Sequence, residues 1–443
     1  MYINSIHLQN FRNFREAKID FLHPEQPFDT PEFPLQKPKY PNINLLLGDN
    51  GSGKTTLLKA VAMACLGPLV DDAGIPAYRL IRREAEEDAS PANSDLAETA
   101  AEVYARFLSH KREMLPPEPM WKRDKSFPFG NSSTLEAKTR VTKTGDLERI
   151  RWAYRDTREE SFWYPIFREA DDTYFFIAYG ATRRTERTDR VDPAVRRASN
   201  FIRAQRILSL FEEAYSLIPL SVWLPGIPEE QKASVENLIS QLLEGTGFFF
   251  AGEREQGEFI FEKNGLKVPF PALSDGYRAY IGWIGDLLYH LFYPYLVSDN
   301  LPDSAEMIPV NERKGIVMID EIDLHLHPSW QMRVLPTLSK ALPNIQFIVT
   351  SHSPLVASSL EWTNILKMQT GDDQASTIER IHEAIHGLDA DQVLVSDFFG
   401  LESTRAESKE KRLKELTLKA RHGDDDAALE LIRAMSGGEE AVQ

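Results

Sequence analysis

The sequence predicts an α/β protein, a mixed sheet with flanking helices, and three apolar runs of strand length predict it. Residues 43–47 (Ile-Asn-Leu-Leu-Leu) lead through a glycine-rich turn into a helical pattern over residues 55–66. Residues 315–319 (Gly-Ile-Val-Met-Ile) end in Asp320 and Glu321. Residues 346–350 (Gln-Phe-Ile-Val-Thr) end in Ser351 and His352. In an open sheet of parallel strands, polar residues at the carboxyl ends of apolar strands gather along one edge, where ligands bind.

The turn after the first run is Gly48-Asp49-Asn50-Gly51-Ser52-Gly53-Lys54-Thr55, which fits the phosphate-binding pattern G-x-x-x-x-G-K-[ST] without a mismatch. Glycines let the backbone curl so that successive N–H groups, from Asn50 through Thr56, face one anion at the positive end of a helix. Lys54 supplies a point charge for β- and γ-phosphates, and Thr55 a hydroxyl for Mg²⁺. The strand–loop–helix context implies a nucleoside triphosphate ligand. Asp320 then reads as the carboxylate of the Mg²⁺ shell and Glu321 as the group that orients and deprotonates the attacking water. His352, at the end of the third run, is placed to sense or polarise the γ-phosphate. Ser274 and Gly276 open a long amphipathic helix running to residue 291 and read as a second anion site, or more plainly as an N-cap with a turn glycine.

Composition narrows the setting. The 443 residues suit two or three domains, and 42% apolar content is ample for a core. The single Cys65 lies in the helix after the phosphate loop and reads as a small buried residue; with one cysteine there is neither a disulfide framework nor a Cys-based zinc site. A reducing, cytoplasmic setting is expected, with no signal pattern and no membrane partner, since no apolar run is long enough to span a bilayer. Net charge of −16 argues against non-specific coating of nucleic acid. A local exception, Arg183 to Arg206, holds eight arginines against three acids. It could face nucleic acid or a neighbouring protomer, or simply be solvated.

Four segments are expected along the chain: 1–70 with the phosphate loop, an inserted mainly helical lobe with a hairpin at 71–265, 266–370 with the remaining site motifs, and a helical tail at 371–443. The first opens on a strand pair, residues 2–8 and 17–21. Pro24, Pro27, Pro31, Pro34, Pro38 and Pro41 follow in a surface loop expected to join two strands of one sheet. In the inserted lobe, residues 77–89 and 93–114 read as helices, the second with Leu96, Ala100, Val103, Phe107 and Leu108 on one side. Residues 135–142 and 147–154 read as a hairpin, 174–179 as a buried core strand, and 192–214 as helical. Prolines at 68, 76, 91, 116, 117, 119, 128 and 165 rule out a long coiled coil here. Residues 406–435 read as two helices split at His422-Gly423-Asp424.

The order phosphate loop, Ser-x-Gly, Asp-Glu and His resembles the ATP-binding-cassette (ABC) ATPases of the RecF/OLD/SMC type, over residues 1 to about 60 and about 270 to 370. Leu8-Gln9-Asn10-Phe11-Arg12-Asn13-Phe14 looks like that class's opening x-N-F-R/K-x-F, whose basic residue lies near the nucleotide, so Arg12 is implied as a nucleotide contact. Asp320-Glu321-Ile322-Asp323-Leu324-His325-Leu326-His327-Pro328 resembles the D-E-x-x-x-H-L-H-P form of OLD-like ATPases. There His325 and His327 either form a metal pair or shape the loop facing a dimer partner. The resemblance implies an ABC-type P-loop head, ATP and Mg²⁺ as ligands, and a homodimer that sandwiches nucleotide, each Ser-x-Gly helix capping the γ-phosphate held by the other copy. Higher homo-oligomers remain open. The sequence departs from transporters and SMC heads in lacking a Gln after the strand at 175–179, where Gly180-Ala181-Thr182-Arg183 stands instead. The 91 residues after His352 hold no acid cluster of the Toprim nuclease kind, so a full OLD nuclease is not expected.

Two functions fit these features. The first is an ATPase subunit of an anti-phage system, similar to the ATPases of Septu, retron-linked or PARIS-type modules, whose nucleotide state controls a separately encoded effector nuclease. The alternative is a repair or recombination ATPase of RecF type acting on DNA directly. A transporter ATPase is disfavoured by the absent Gln and the inserted lobe.

Overall fold

The computed structural model describes residues 1–31, 33–83, 100–110, 132–145, 147–154, 163–167, 174–185, 202–296, 308–401, 403, 407–422 and 424–435. In chain order the first half supplies β1 (Tyr2–Phe11), β2 (Phe14–Asp20), β3 (Ile43–Gly48), α1 (Lys54–Leu66), β4 (Ala101–His110), β5 (Ser132–Thr144), β6 (Leu147–Trp152), β7 (Phe175–Tyr179) and α2 (Ile202–Phe211). The second half supplies α3 (Glu229–Leu242), β8 (Phe249–Glu255), β9 (Glu258–Lys263), β10 (Leu266–Pro269), α4 (Asp275–Leu296), β11 (Gly315–Ile319), α5 (Val334–Ala341), β12 (Ile345–Ser351), α6 (Pro354–Ser358), β13 (Ile365–Thr370) and β14 (Ser376–Glu379). Then come α7 (Ala390–Val395), α8 (Glu407–Arg421) and α9 (Asp425–Met435).

Two sheets organise the unit formed by Met1–Gly387. A six-stranded sheet has the order β14-β13-β3-β12-β11-β7, parallel except for the antiparallel edge strand β14. Strands β7, β11 and β12 are buried at every position, and β3 at every position but Gly48. That is why they read as continuous apolar runs and not as alternating ones. A five-stranded antiparallel sheet has the order β2-β1-β4-β5-β6. Helix α1 is apolar almost all round, and its side chains share one core with residues from both sheets, among them Ile6, Val103, Ala137, Phe176 and Met318. Cys65 is fully buried there, and burial pushes its thiol up, away from reactivity.

The second sheet corrects three expectations. Residues 101–110, expected within a helix at 93–114, form strand β4 between β1 and β5. Ala101, Val103, Ala105 and Phe107 are buried in strict alternation while Leu108 is only half-buried. Cross-strand pairing on both sides satisfies the backbone, and the period of two wins over a mixed helical spacing. Residues 77–83, expected in a helix, are extended or bent, with Ile81 bridged to Phe11. The proline-dense loop links strands of different sheets, since β2 lies in the antiparallel sheet and β3 in the parallel one. Residues 84–99 and 111–114 of the two expected helices lie outside the described residues.

Other expectations coincide with elements: the strand pair β1–β2, the β5–β6 hairpin, β7, α2 within the expected 192–214, and the long helix α4. Residues 376–379 add β14 to the six-stranded sheet, so that sheet continues past residue 370. A second compact unit, Leu388–Gln443, carries α7 and the helix pair α8–α9, with the break between the pair at residues 422–424. Among the described residues no helix is long and apolar enough to cross a membrane.

Candidate nucleotide site

The loop Gly48–Thr55 joins β3 to α1 at the carboxyl edge of the parallel sheet. Gly51 and Gly53 have φ of +84° and +95°, the left-handed region that side chains disfavour. A Cβ at Gly53 would also stand 3.0 Å from Phe14 Cζ, and one at Gly48 would stand 2.2 Å from the Met368 carbonyl oxygen of β13. The β1–β2 turn props the loop from outside, with Asn13 Nδ2 donating to Gly51 O at 2.9 Å. Asn13 also meets Thr56 Oγ1 at 3.4 Å, so Thr56, buried, faces the turn. Asn50 and Gly51 are exposed, whereas Ser52 is buried and its Oγ has no hydrogen-bond partner. A backbone cradle with a buried, unspent hydroxyl fits an anionic ligand.

Lys54 Nζ donates to Gly48 O at 2.7 Å and Asp49 O at 2.9 Å, holding the ammonium over the loop. Burial lowers its pKa, opposed by Asp320, Glu321, Asp49 and Asp323. Thr55 Oγ1 donates to Asp320 Oδ2 at 2.8 Å, bridging 265 residues of sequence. The other carboxylate oxygen, Oδ1, accepts from Thr350 Oγ1 at 2.7 Å. Thr350 Oγ1 in turn accepts from Glu321 N at 2.7 Å. Asp320 N donates to Tyr179 O at 2.9 Å, tying β11 to β7 as the strands end. Thr55 and Asp320 thus present adjacent hard oxygens, the donor set that suits Mg²⁺.

Glu321 is half-buried with φ of +49°, a conformation costing a non-glycine residue about 1–2 kcal/mol. Arg183 forks across this bend, Nη1 donating to Asp320 O at 3.1 Å and Nη2 to Glu321 O at 2.8 Å. Burial pushes the Arg183 guanidinium down to about 10, against the raising fields of Asp320, Asp323 and Glu321. His352 is half-buried directly after β12, between the strands that carry the phosphate loop and the acid pair. Ser274 is exposed at the start of α4, and a Cβ on Gly276 would stand 2.4 Å from His325 O. The start of α4 therefore rests on the loop that follows the acid pair in the same chain.

Lys54, Thr55, Asp320 and Glu321 are brought into one cluster, with His352 at the neighbouring strand end. Ser274 is not bonded into it and faces outward. Arg12 is half-buried with φ of +46°, and its Nε donates to Arg79 O at 3.0 Å. His327 Nδ1 accepts from Ser329 N at 3.3 Å, capping the one-turn helix Pro328–Gln331. Among the described residues no group of three or more His, Cys, Asp or Glu side chains is arranged to hold a metal ion.

The arginine segment changes meaning. Arg183, Arg203 and Arg206 are 5%, 0% and 5% exposed, and so form no basic face. Arg203 donates to Ile166 O and Arg206 Nε to His290 Nδ1 at 3.4 Å. Arg187, Arg190, Arg196 and Arg197 lie outside the described residues. Sequence reasoning missed Asn13, Thr350 and the bracing role of Arg183. Only the placing of Asn13 inside the Asn10–Phe14 motif and of Thr350 at the end of an apolar strand signalled two of them.

The parallel sheet, with a phosphate loop and an acid pair at its carboxyl edge, has the arrangement of a P-loop nucleotide-binding head. The chain belongs to the family described as "AAA domain, putative AbiEii toxin, Type IV TA system", whose model matches residues 43–358; a second model, "AAA ATPase domain", matches residues 1–63. It is similar to Septu protein PtuA of Bacillus mycoides (strain KBAB4), 24% identical over 411 residues, which cover 92% of this chain and 46% of that protein. It is also similar to the Retron Vc95 probable ATPase of Vibrio cholerae serotype O1 biovar El Tor, 24% identical, covering 72% of this chain and 67% of that one. The chain thus spans about half the length of PtuA and two thirds of the retron protein. Among solved structures, the SMC head domain from Thermotoga maritima matches at a TM-score of 0.44 and 16% identity, covering 86% of this chain and 100% of that chain.

Proposed function

We propose that this chain binds and hydrolyses ATP, closes into a nucleotide-bridged homodimer, and thereby regulates a partner effector protein, a nuclease, in bacterial anti-phage defence. The observation that carries the catalytic part is the bonded chain Thr55–Asp320–Thr350–Glu321, which joins the phosphate loop to the acid pair. Backbone N–H groups of residues 50–56 and the Lys54 ammonium hold the β- and γ-phosphates. Thr55 Oγ1 and Asp320 would hold Mg²⁺, which when bound neutralises charge on the phosphate oxygens. Glu321 orients the attacking water and takes its proton, and His352 steadies the γ-phosphate. Ser274 and Gly276 of a second copy close the site, in keeping with the exposed start of α4. ATP hydrolysis that depends on Lys54 and stops in Glu321→Gln tests this reading; hydrolysis at the parental rate in Glu321→Gln overturns the assignment of the base.

The defence role is supported by the likeness to a Septu protein and a retron ATPase. Burial of Arg183, Arg203 and Arg206 removes part of the basis for direct DNA binding, which favours the effector reading over a RecF-type one. Co-purification with the product of the adjacent gene, with and without ATP, is the experiment. Nucleotide-dependent capture of a nuclease supports the proposal. Tight, salt-sensitive DNA binding with no protein partner contradicts it.

A further inference from the structure

A single buried guanidinium spans the backbone of both acids. Arg183 Nη1 donates to Asp320 O at 3.1 Å and Nη2 to Glu321 O at 2.8 Å. On its other side the Glu321 peptide is held by Thr350 Oγ1, which accepts from Glu321 N at 2.7 Å. Glu321 is therefore gripped at both its N–H and its C=O while sitting at φ +49°, a conformation uncommon for a residue other than glycine. Arg183 is itself anchored. It follows β7, and Gly180 approaches α2 so closely that a Cβ there would stand 2.2 Å from Ser209 O. Its φ of +34° is likewise one a side chain avoids. A planar fork of donors in fixed geometry suits two neighbouring carbonyls, which an ammonium could serve only one at a time.

We propose that Arg183 is a positioning residue for hydrolysis, setting the direction of the Glu321 carboxylate by clamping the 320–321 peptides. This rests on the reading of Glu321 as the base. In the step served, a water O–H gives its proton to a Glu321 carboxylate oxygen as the water oxygen bonds to the γ-phosphorus. The bond from that phosphorus to the β,γ-bridging oxygen breaks, leaving ADP and phosphate. Arg183 touches none of these atoms. It fixes where the accepting oxygen stands, and a misplacement of about 1 Å there costs on the order of a hundredfold in rate.

The test compares Arg183→Lys, Arg183→Gln and Glu321→Gln with the parent protein. It reads ATP turnover, affinity for a fluorescent ATP analogue, and the melting temperature. The clamp predicts a kcat about a hundredfold lower in Arg183→Gln. Arg183→Lys should recover part of that loss, with KM and analogue affinity within about threefold of the parent in both, a change of less than about 0.7 kcal/mol. A purely structural role would instead lower analogue affinity and melting temperature in step with kcat, and that result overturns the proposal. So does parental kcat in both Arg183 variants. If Arg183→Gln does not fold, Arg183→Lys alone decides by the split between kcat and KM. Glu321→Gln separates the two layers. Parental turnover there removes the base reading, whereas turnover lost there but kept in the Arg183 variants removes only the clamp.

Discussion

Thr350→Val changes one atom's chemistry at the centre of the site and nothing in its bulk. Thr350 is fully buried in β12, and its Oγ1 both donates to Asp320 Oδ1 and accepts from Glu321 N, each at 2.7 Å. Valine keeps the branched shape and the strand preference but leaves the Asp320 oxygen without its donor and the Glu321 N–H without an acceptor. An unsatisfied buried group costs about 1–3 kcal/mol, more when charged, so the pair implies about 2–5 kcal/mol in the nucleotide-free protein. For a large domain that lowers the melting temperature by about 3–8 °C. If about 2.7 kcal/mol of the loss falls on the transition state, kcat drops about a hundredfold. Thr350→Ser keeps the hydroxyl and loses one methyl, about 1 kcal/mol. Melting curves without nucleotide and steady-state phosphate release measure both quantities. Valine and serine variants with matching stability and matching kcat would refute the role assigned to the hydroxyl.

Three further outcomes are expected. Lys54→Ala removes the ammonium from the phosphate loop, and loss of about 3 kcal/mol of charge-assisted bonding lowers ATP affinity about a hundredfold or more, measured by titration calorimetry; unchanged affinity contradicts the loop assignment. Gly276→Ala sets a methyl 2.4 Å from the His325 carbonyl, so helix α4 or the loop must shift; turnover should fall severalfold or more while nucleotide binding persists. A variant with parental turnover would show that the contact does not matter. Burial holds the His23 imidazole at about 4, with Glu25 opposing and His110 and the terminal amine adding to the depression. The unfolded chain takes up a proton near pH 6.5 that the folded one refuses until about pH 4. Stability is therefore lost as pH falls through that window, at about 1.4 kcal/mol per unit. His23→Gln should flatten that slope in pH-dependent melts; an unaltered slope places the cause elsewhere.

Strands β3, β7, β11 and β12 were legible because strands buried almost throughout leave unmistakable apolar runs, and the phosphate loop because it has few ways to satisfy its geometry; the partly exposed β13 and β14 at the sheet's edge were not. The antiparallel sheet was less so. In residues 101–110 the buried set Ala101, Val103, Ala105 and Phe107 overlaps a helical spacing through Val103, Phe107 and Leu108, and only pairing with β1 and β5 decides between them. A charge count along the chain likewise cannot see that Arg183, Arg203 and Arg206 turn inward. Thr350 passes for an ordinary β-branched strand residue until its hydroxyl is found between Asp320 and Glu321. Asn13 looks like a turn residue until its amide is found on Gly51. In each case the information lies in which distant residue the side chain meets, and one-dimensional spacing does not carry it.

The claim that the site is completed by a second copy is tested most directly by light scattering on Glu321→Gln with ATP and Mg²⁺. Expected are a doubled mass with nucleotide, a single-chain mass without it, and loss of the doubled species when Ser274→Arg is added. A single-chain mass throughout, or a doubled mass indifferent to Ser274→Arg, would contradict it.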